Sequence, residues 1–357
     1  MTGPETAVRT TDATAGAASA APAGGPGTEV PETSAPGRHR TAALWAGYLG
    51  RRLVGVVAVL IAIVLLTFLI VRFVPGDPAR LIVGLNATPD QVAAVRDELG
   101  LDDPFFTQFW DYVSGLLHGD LGQSFVNRQP VSEMIGQRLP LTAQLALSAL
   151  AIVLVVGFLF GVTAGMLDHN GRGRWFTSPF TAVTSLVGSL PEYITGTLLV
   201  YVFSLSLRWF PVQGGPGFES MFLPALAVGL PPAAVLARLV RNETLAVLGQ
   251  EYMTTATSKR LSRARLLVRH VLPNVVTSTL TLGGLLLVAL LGGTVITENV
   301  FNISGVGTAV VQAILRSDYP SVQGVILVLG LIAVVINLAV DITLGILDPR
   351  VLSRRAS

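Results

Sequence analysis

The sequence predicts an all-α membrane protein that crosses the bilayer six times, with both termini in the cytoplasm. Three observations carry that prediction. Hydrophobic residues make up 51% of the 357-residue chain and charged residues only 13%, where a soluble globular protein carries roughly 25%. The apolar residues are gathered into long runs instead of being spread at an amphipathic period. The basic residues fall on alternate connections between those runs, as the positive-inside rule requires.

Residues 1–48 are rich in Ala, Gly, Thr and Pro, carry Glu5, Asp12, Glu29 and Glu32, and hold no long apolar run. That is the composition of a disordered tail. It lacks both the basic region and the apolar core of a secretory signal. Residues 49–74 hold the first transmembrane helix. Its apolar run, Leu53 to Val74, has 22 residues and reaches about 33 Å, enough for the hydrocarbon core.

Residues 75–140 are acidic and read as a small helical subdomain on the outer face. Thr88 can cap a helix that begins at Pro89, with Asp90 in its first turn and Gly100 as its stop. A second helix is expected from Pro104 to about Leu117. Residues 141–350 hold the core, with apolar runs Leu141 to Met166, Thr177 to Leu207, Phe222 to Val240, Asn274 to Thr297 and Val322 to Leu347.

The third of the six runs is long enough for one broken helix or for two short ones divided at Pro191. Charge decides between them. With a single span and a cytoplasmic N-terminus, the inner segments hold Arg38, Arg40, Arg51 and Arg52, then Arg172 and Arg174. Next come Arg241, Lys259, Arg260, Arg263, Arg265 and Arg269, and finally Arg350, Arg354 and Arg355. Splitting the run would put the most basic loop, Arg241 to His270, on the outer face, against that rule.

Several functions are excluded by what is missing. There is no cysteine, so thiolate metal sites and cysteine nucleophiles are absent. His39, His118, His169 and His270 stand at no metal-ligand spacing. No GxxxxGK[ST] phosphate loop occurs, so the chain cannot hydrolyse ATP itself. No catalytic constellation can be assigned in a soluble setting. Nucleic-acid binding has no support, because basic residues gather only on the inner face and Lys259 is the sole lysine.

The most informative stretch is the inner loop at about residues 249–273, between spans four and five. Glu251 to Leu261 can form a short helix, in which the small residues Thr254, Thr255, Ala256 and Ser258 permit close approach by another surface. Ser262 is placed to cap a second helix, Arg263 to His270, with Leu266, Leu267 and Val271 toward the bilayer. Two readings are open on physical grounds: an interfacial helix that anchors topology, or a helix that transmits force from a soluble partner.

This loop resembles the EAA coupling loop of ABC-importer permeases, in which EAA is followed after three residues by Gly, and after nine more by Ile, any residue and Leu-Pro. Here Thr254-Thr255-Ala256, Arg260, His270 and Leu272-Pro273 occupy those places, so Arg260 replaces the glycine. The rest of the chain is similar to the dipeptide, oligopeptide and nickel permease family over about residues 48–351. The likeness is carried by YLGRRL before span one, VPGDP ending at Pro78, LGLDDP at Leu99–Pro104 and GDLGQS at Gly119–Ser124. QRLP at Gln137–Pro140, DYPSVQG at Asp318–Gly324 and NLAVD…LDPR at Asn337–Arg350 complete it.

The resemblance implies a pore-forming permease subunit of an ATP-driven importer in a bacterial inner membrane, with residues 141–350 as the permease core. Its implied cargo is di- or oligopeptides delivered by an external solute-binding protein, with nickel, glutathione or a sugar as alternatives. Its implied partners are a homologous second permease, in a heterodimer, and two ATP-binding-cassette subunits that carry ATP and Mg. No cofactor is expected on this chain. The implied coupling residues are Glu251, Tyr252, Thr254, Thr255, Ala256, Ser258, Lys259, Arg260, Leu261, Leu272 and Pro273.

Candidates for lining or gating a pathway are Ser189, Pro191, Glu192, Gly283, Gly284 and Asn337. A charge at Glu192 in mid-membrane costs several kcal/mol unless it faces a cavity or a partner. Alternatively, the helix breaks at Pro191 and Glu192 sits near the outer interface. Gly283-Gly284, Gly292-Gly293 and Pro231-Pro232 permit close packing or bending. Asn337 and Asp341, four residues apart, share a face, and pairing near the inner interface with Arg350 competes with a pathway role. An ion-coupled secondary transporter is the rival reading, but it would show inverted repeats and buried charge relays.

Overall fold

The computed structural model describes residues 38–73, 78–84, 87–98, 100–169, 174–253 and 263–347. Among them every regular element is helical, with one isolated bridge between Gln123 and Pro130. Helix α1 (Arg38–Phe73) begins well before the apolar run. Residues 38–48, expected in the tail, are therefore helical. α2 (Pro78–Val83) and α3 (Pro89–Glu98) follow. α3 opens on a reciprocal cap: the Gln91 N–H donates to Thr88 Oγ1 (3.4 Å) and the Thr88 N–H donates to Gln91 Oε1 (3.0 Å). Beyond it the chain reverses at Gly100, whose φ of +59° suits a residue without Cβ.

α4 (Phe105–Leu117) lies against α1. The Phe68 ring is 5.4 Å from Phe105, 5.2 Å from Phe109 and 5.7 Å from Tyr112, centre to centre. The hydroxyls of Thr67 and Tyr112 are 3.2 Å apart. Burial pushes the Tyr112 phenol above the usual tyrosine range, and the Thr67 hydroxyl opposes that rise.

α5 (Val131–His169) carries Pro140 inside it, although the apolar run read from sequence begins only at Leu141. A proline removes one backbone bond. The helix continues because packing holds both sides of it, through Met134 and Ile135 before and Thr142 and Leu145 after, all buried. α6 (Arg174–Ser189) and α7 (Glu192–Leu199), the latter prolonged by a π-helical stretch Val200–Ser206, are bent by 101° at the intervening break. Pro191 stands at that break as the residue before α7. α8 (Phe218–Leu248) runs through Pro224, Pro231 and Pro232.

α9 (Arg263–Leu266) passes through a π-helical turn, Leu267–Val271, directly into α10 (Leu272–Val300). The separate interfacial helix expected at Arg263–His270 is thus the first part of the helix expected as span five. Its apolar side does not face lipid. Val271 is fully buried, and Leu266 and Leu267 pack on the same cluster, which includes Val153 of α5, Val240 and Val247 of α8, and Met253. Val268, Arg265 and Arg269 are the exposed positions. The expected cap, Ser262, lies outside the described residues. α11 (Val306–Leu315) and α12 (Tyr319–Leu347) complete the chain.

Among the described residues, four stretches are long and apolar enough to cross a membrane: Gly50–Leu69, Val131–His169, Phe218–Leu248 and Tyr319–Thr343. The bent pair α6–α7 passes the same test jointly, and Leu286–Val300 of α10 and α11 are shorter apolar helices.

The centre of the fold is the contact between α5 and α8. Lipid tails are as apolar as leucine, so helices in a membrane are held by close packing more than by hydrophobic burial. α5 meets this requirement with Gly157, Gly161 and Gly165, one per turn. A Cβ on Gly161 would lie 2.6 Å from the Ala237 carbonyl oxygen, and one on Gly165 would lie 2.7 Å from Thr244 Cβ. α8 returns the device at Gly229, where a Cβ would stand 2.9 Å from the Ala149 carbonyl. Near the ends of these two helices, Arg241 of α8 pairs with Asp168 of α5 (2.5 Å), which also accepts from Thr177 Oγ1 (3.0 Å). Asp341 of α12 pairs with Arg52 of α1. The expected partner, Arg350, lies outside the described residues, and the observed pairing ties the first long helix to the last.

Candidate functional site

The loop between α8 and α9, about residues 249–273 in the sequence reading, is built from its flanks. Met253, next to the expected coupling residues, is 1% exposed and belongs to the cluster of α5, α8 and α10, so the entry to the loop is locked to the helical core. At the exit, Asn274 Nδ2 donates to the His270 carbonyl (2.7 Å) and reaches Tyr252 Oη at 3.5 Å. The Tyr252 and His270 rings stand 6.4 Å apart. Both ends of the loop therefore rest on the start of α10. Leu272 and Pro273 open that helix, Pro273 within its first two positions, directly after the π-helical turn. Glu251 and Tyr252 are exposed beside this joint. Thr254, Thr255, Ala256, Ser258, Lys259, Arg260 and Leu261 lie outside the described residues.

The second feature is the bend between α6 and α7. Ser189 and Pro191 are exposed and Glu192 is half-buried. The Glu192 carboxylate rests on α10 where that helix lacks a side chain: a Cβ on Gly293 would lie 2.7 Å from Glu192 Oε1. Glu192 Oε2 and Thr297 Oγ1, the latter one turn beyond Gly293, are buried with no hydrogen-bond partner among the described residues. The helix is broken at Pro191, and Glu192 is turned onto α10. The other candidates do not gather there. A Cβ on Gly283 would meet Leu154 of α5 at 2.8 Å, and Gly284 follows it in the same helix. Asn337 is exposed on α12, one turn before Asp341.

Two further carboxylates, neither chosen from sequence as a site residue, hold the opposite end of the molecule. Glu298 is wholly buried near the end of α10. Its Oε1 accepts from Thr142 Oγ1 of α5 (2.6 Å) and its Oε2 from the Thr308 N–H of α11 (2.9 Å). Thr142 Oγ1 in turn accepts from the Val306 N–H (2.8 Å). One carboxylate therefore joins α5 and α10 and occupies the N-terminal end of α11, where free N–H groups favour an anion. Gly305 and Gly307 make room: a Cβ on Gly305 would collide with the carboxylate, and one on Gly307 would lie 2.6 Å from Val295 Cα.

Asp318, 4% exposed, accepts from Ser124 Oγ (2.5 Å), the Phe125 N–H (2.9 Å) and Ser321 Oγ (2.8 Å). That contact brings the segments GDLGQS and DYPSVQG together across 194 residues. The signal for Glu298 was present as a lone acid closing an apolar run, with two glycines following within ten residues. A span that ends at Thr297 leaves Glu298 just outside it.

Residues 157–353 match the model of the binding-protein-dependent transport system inner membrane component, and residues 46–146 match the model of its N-terminal part. The chain belongs to this family. It is a multi-pass inner-membrane permease of a binding-protein-dependent transport system. A Brucella abortus protein with the provisional name peptide transport system permease protein is 41% identical over 309 residues, which cover 84% of this chain and 97% of the relative. The glutathione transport system permease protein GsiC of Escherichia coli is 38% identical over 306 residues, covering 85% of this chain and 98% of that protein. A crystal structure of an amino acid ABC transporter gives a TM-score of 0.44 at 16% identity, covering 61% of this chain and 94% of that chain.

Proposed function

We propose that this permease forms half of the pore of an ATP-driven importer that moves di- or oligopeptides, glutathione-like peptides included, delivered by an external solute-binding protein. The observation that carries the reading is the near full-length likeness to permeases named for peptide and glutathione transport. In this proposal the six crossings are α1, α5, the bent pair α6–α7, α8, α10 and α12, with both termini inside. Residues 75–140 form an external subdomain and residues 141–350 the permease core. A homologous second permease completes the pore as a heterodimer. Two ATPase subunits carry ATP and Mg, and the chain itself binds no cofactor.

The coupling element is the loop at residues 249–273, which includes Ala256. Its support is mechanical. Both flanks are fastened to the α5–α8–α10 core, through Met253 and Val271, so a push on the loop is delivered to α10. That helix also carries Gly293 beneath Glu192 and Glu298 beneath α11. Motion of α10 therefore reaches the bend at Pro191, where the unpartnered Glu192 and Thr297 oxygens offer acceptors to a peptide ammonium or to water on the pathway.

Replacing Ala256 with Glu in the reconstituted transporter tests the coupling role. ATP hydrolysis and uptake are expected to become uncoupled while membrane insertion stays intact. Wild-type uptake by that variant would show that the loop is not the coupling element.

A further inference from the structure

α4 carries more apolar surface than its contact with the rest of the protein uses. In a helix of 3.6 residues per turn, Phe105, Phe109 and Tyr112 share the face that packs on Phe68 of α1. Phe106, Trp110 and Leu117 form a second stripe, rotated by about a third of a turn from the first. They are 82%, 68% and 80% exposed. Thr107, Gln108, Asp111 and Ser114 take up the remaining sector. The helix thus has one apolar side toward protein, an adjoining apolar side that none of the described residues covers, and a polar side turned away from both.

The position of α4 says what covers that second side. Thr67 and Phe68, which anchor it, fall in the last turn of the membrane-crossing stretch Gly50–Leu69. That stretch is long enough to span the hydrocarbon core, so its last turn lies at the boundary with the headgroups. The neighbouring α1 surface there is itself apolar and open, with Leu65 40% and Leu66 60% exposed. The free stripe of α4 is therefore continuous with the lipid-facing surface of the first span.

We propose that α4 is an interfacial helix that beds Phe106, Trp110 and Leu117 in the boundary between lipid headgroups and acyl chains, with Asp111 and Thr107 toward water. A helix with adjoining apolar and polar arcs of this kind lies in the plane of the membrane surface. Its polar side carries Asp111 and no arginine, so it is held by apolar burial and not by attraction to anionic lipid.

The chain has no cysteine, so single cysteines at 106, 107, 110, 111, 114 and 117 can carry a nitroxide in the complete transporter reconstituted in phosphatidylcholine vesicles. Collision with oxygen, relative to a water-soluble nickel chelate, is expected to be several-fold higher at 106, 110 and 117 than at 107, 111 and 114. Adding phosphatidylglycerol should leave this pattern unchanged. High chelate access at all six positions would overturn the proposal in favour of a water-exposed helix. Protection of 106, 110 and 117 from both probes would overturn it in favour of a protein partner. Should labelled variants fail to assemble, the unlabelled transporter serves: brominated lipid is expected to quench a component of tryptophan emission that is lost in Trp110→Phe. Quenching identical in the two proteins contradicts the proposal. Neither readout depends on the transported substrate, so failure here leaves the permease assignment standing.

Discussion

Replacing Glu298 with Ala should release α11 from the body of the permease. The variant removes the acceptor for two buried donors, the Thr142 hydroxyl (2.6 Å) and the Thr308 N–H (2.9 Å). The hydroxyl can turn toward another acceptor, but the backbone N–H cannot. A buried donor left without a partner costs about 1–3 kcal/mol, and losing a bond to a charged acceptor costs a comparable amount. A total of roughly 2–4 kcal/mol follows once the hydroxyl relaxes, which corresponds to about a 30- to 1000-fold rise in the population of the open form. Glu298→Gln should cost less, because its amide oxygen can still serve Thr308 while its NH₂ turns to Thr142 Oγ1.

The assay uses a cysteine at Ala309 of α11, which is 4% exposed, as the only thiol in the chain. Its rate of reaction with a membrane-impermeant maleimide reports opening of α11. The order Glu298→Ala, then Glu298→Gln, then the parent is expected. Equal rates in all three, in proteins that remain assembled, would refute the claim that this carboxylate holds α11.

Gly161→Leu should abolish the α5–α8 contact, because the new side chain starts 2.6 Å from the Ala237 carbonyl. The expected readout is loss of the monodisperse peak in detergent chromatography, whereas an unchanged peak would mean that the helices can separate without penalty. Asp318→Asn should loosen the loop at Gly119–Pro130, since a carbonyl and an NH₂ replace two acceptor oxygens that serve three donors. Trypsin cleavage after Arg128, which is exposed, should then accelerate about tenfold, the equivalent of roughly 1.4 kcal/mol. Arg52→Asp and Asp341→Arg should each lower the thermal midpoint of the purified permease, and the double exchange should recover part of the loss. No recovery would mean that the pair does not join α1 to α12.

The long helices were legible because a membrane demands an uninterrupted apolar run, and each run read from Leu53 onward coincides with a helix or, at Pro191, with a bent pair. The cap at Thr88 and the stop at Gly100 were legible because they are local. The tertiary ties were harder to see. Val271 reads as lipid-facing on a helical wheel and becomes core because α10 continues unbroken through the joint. Likewise, Pro140 reads as a boundary and is carried inside α5 by packing on either side. Glu298, Thr142 and Asp318 act over 156 to 194 residues, a range that no local pattern reports. Two of the seven family-like segments, GDLGQS and DYPSVQG, meet at Asp318.

The central claim is that ATP hydrolysis by a partner drives peptide through this permease. It is tested most directly in vesicles holding the complete transporter, with ATP on the ATPase side and a labelled peptide loaded on the binding protein at the other. Uptake that requires ATP and the binding protein, and that is abolished by Ala256→Glu, is the predicted result. Uptake driven by an ion gradient without ATP, or ATP-driven uptake undiminished in that variant, would contradict it.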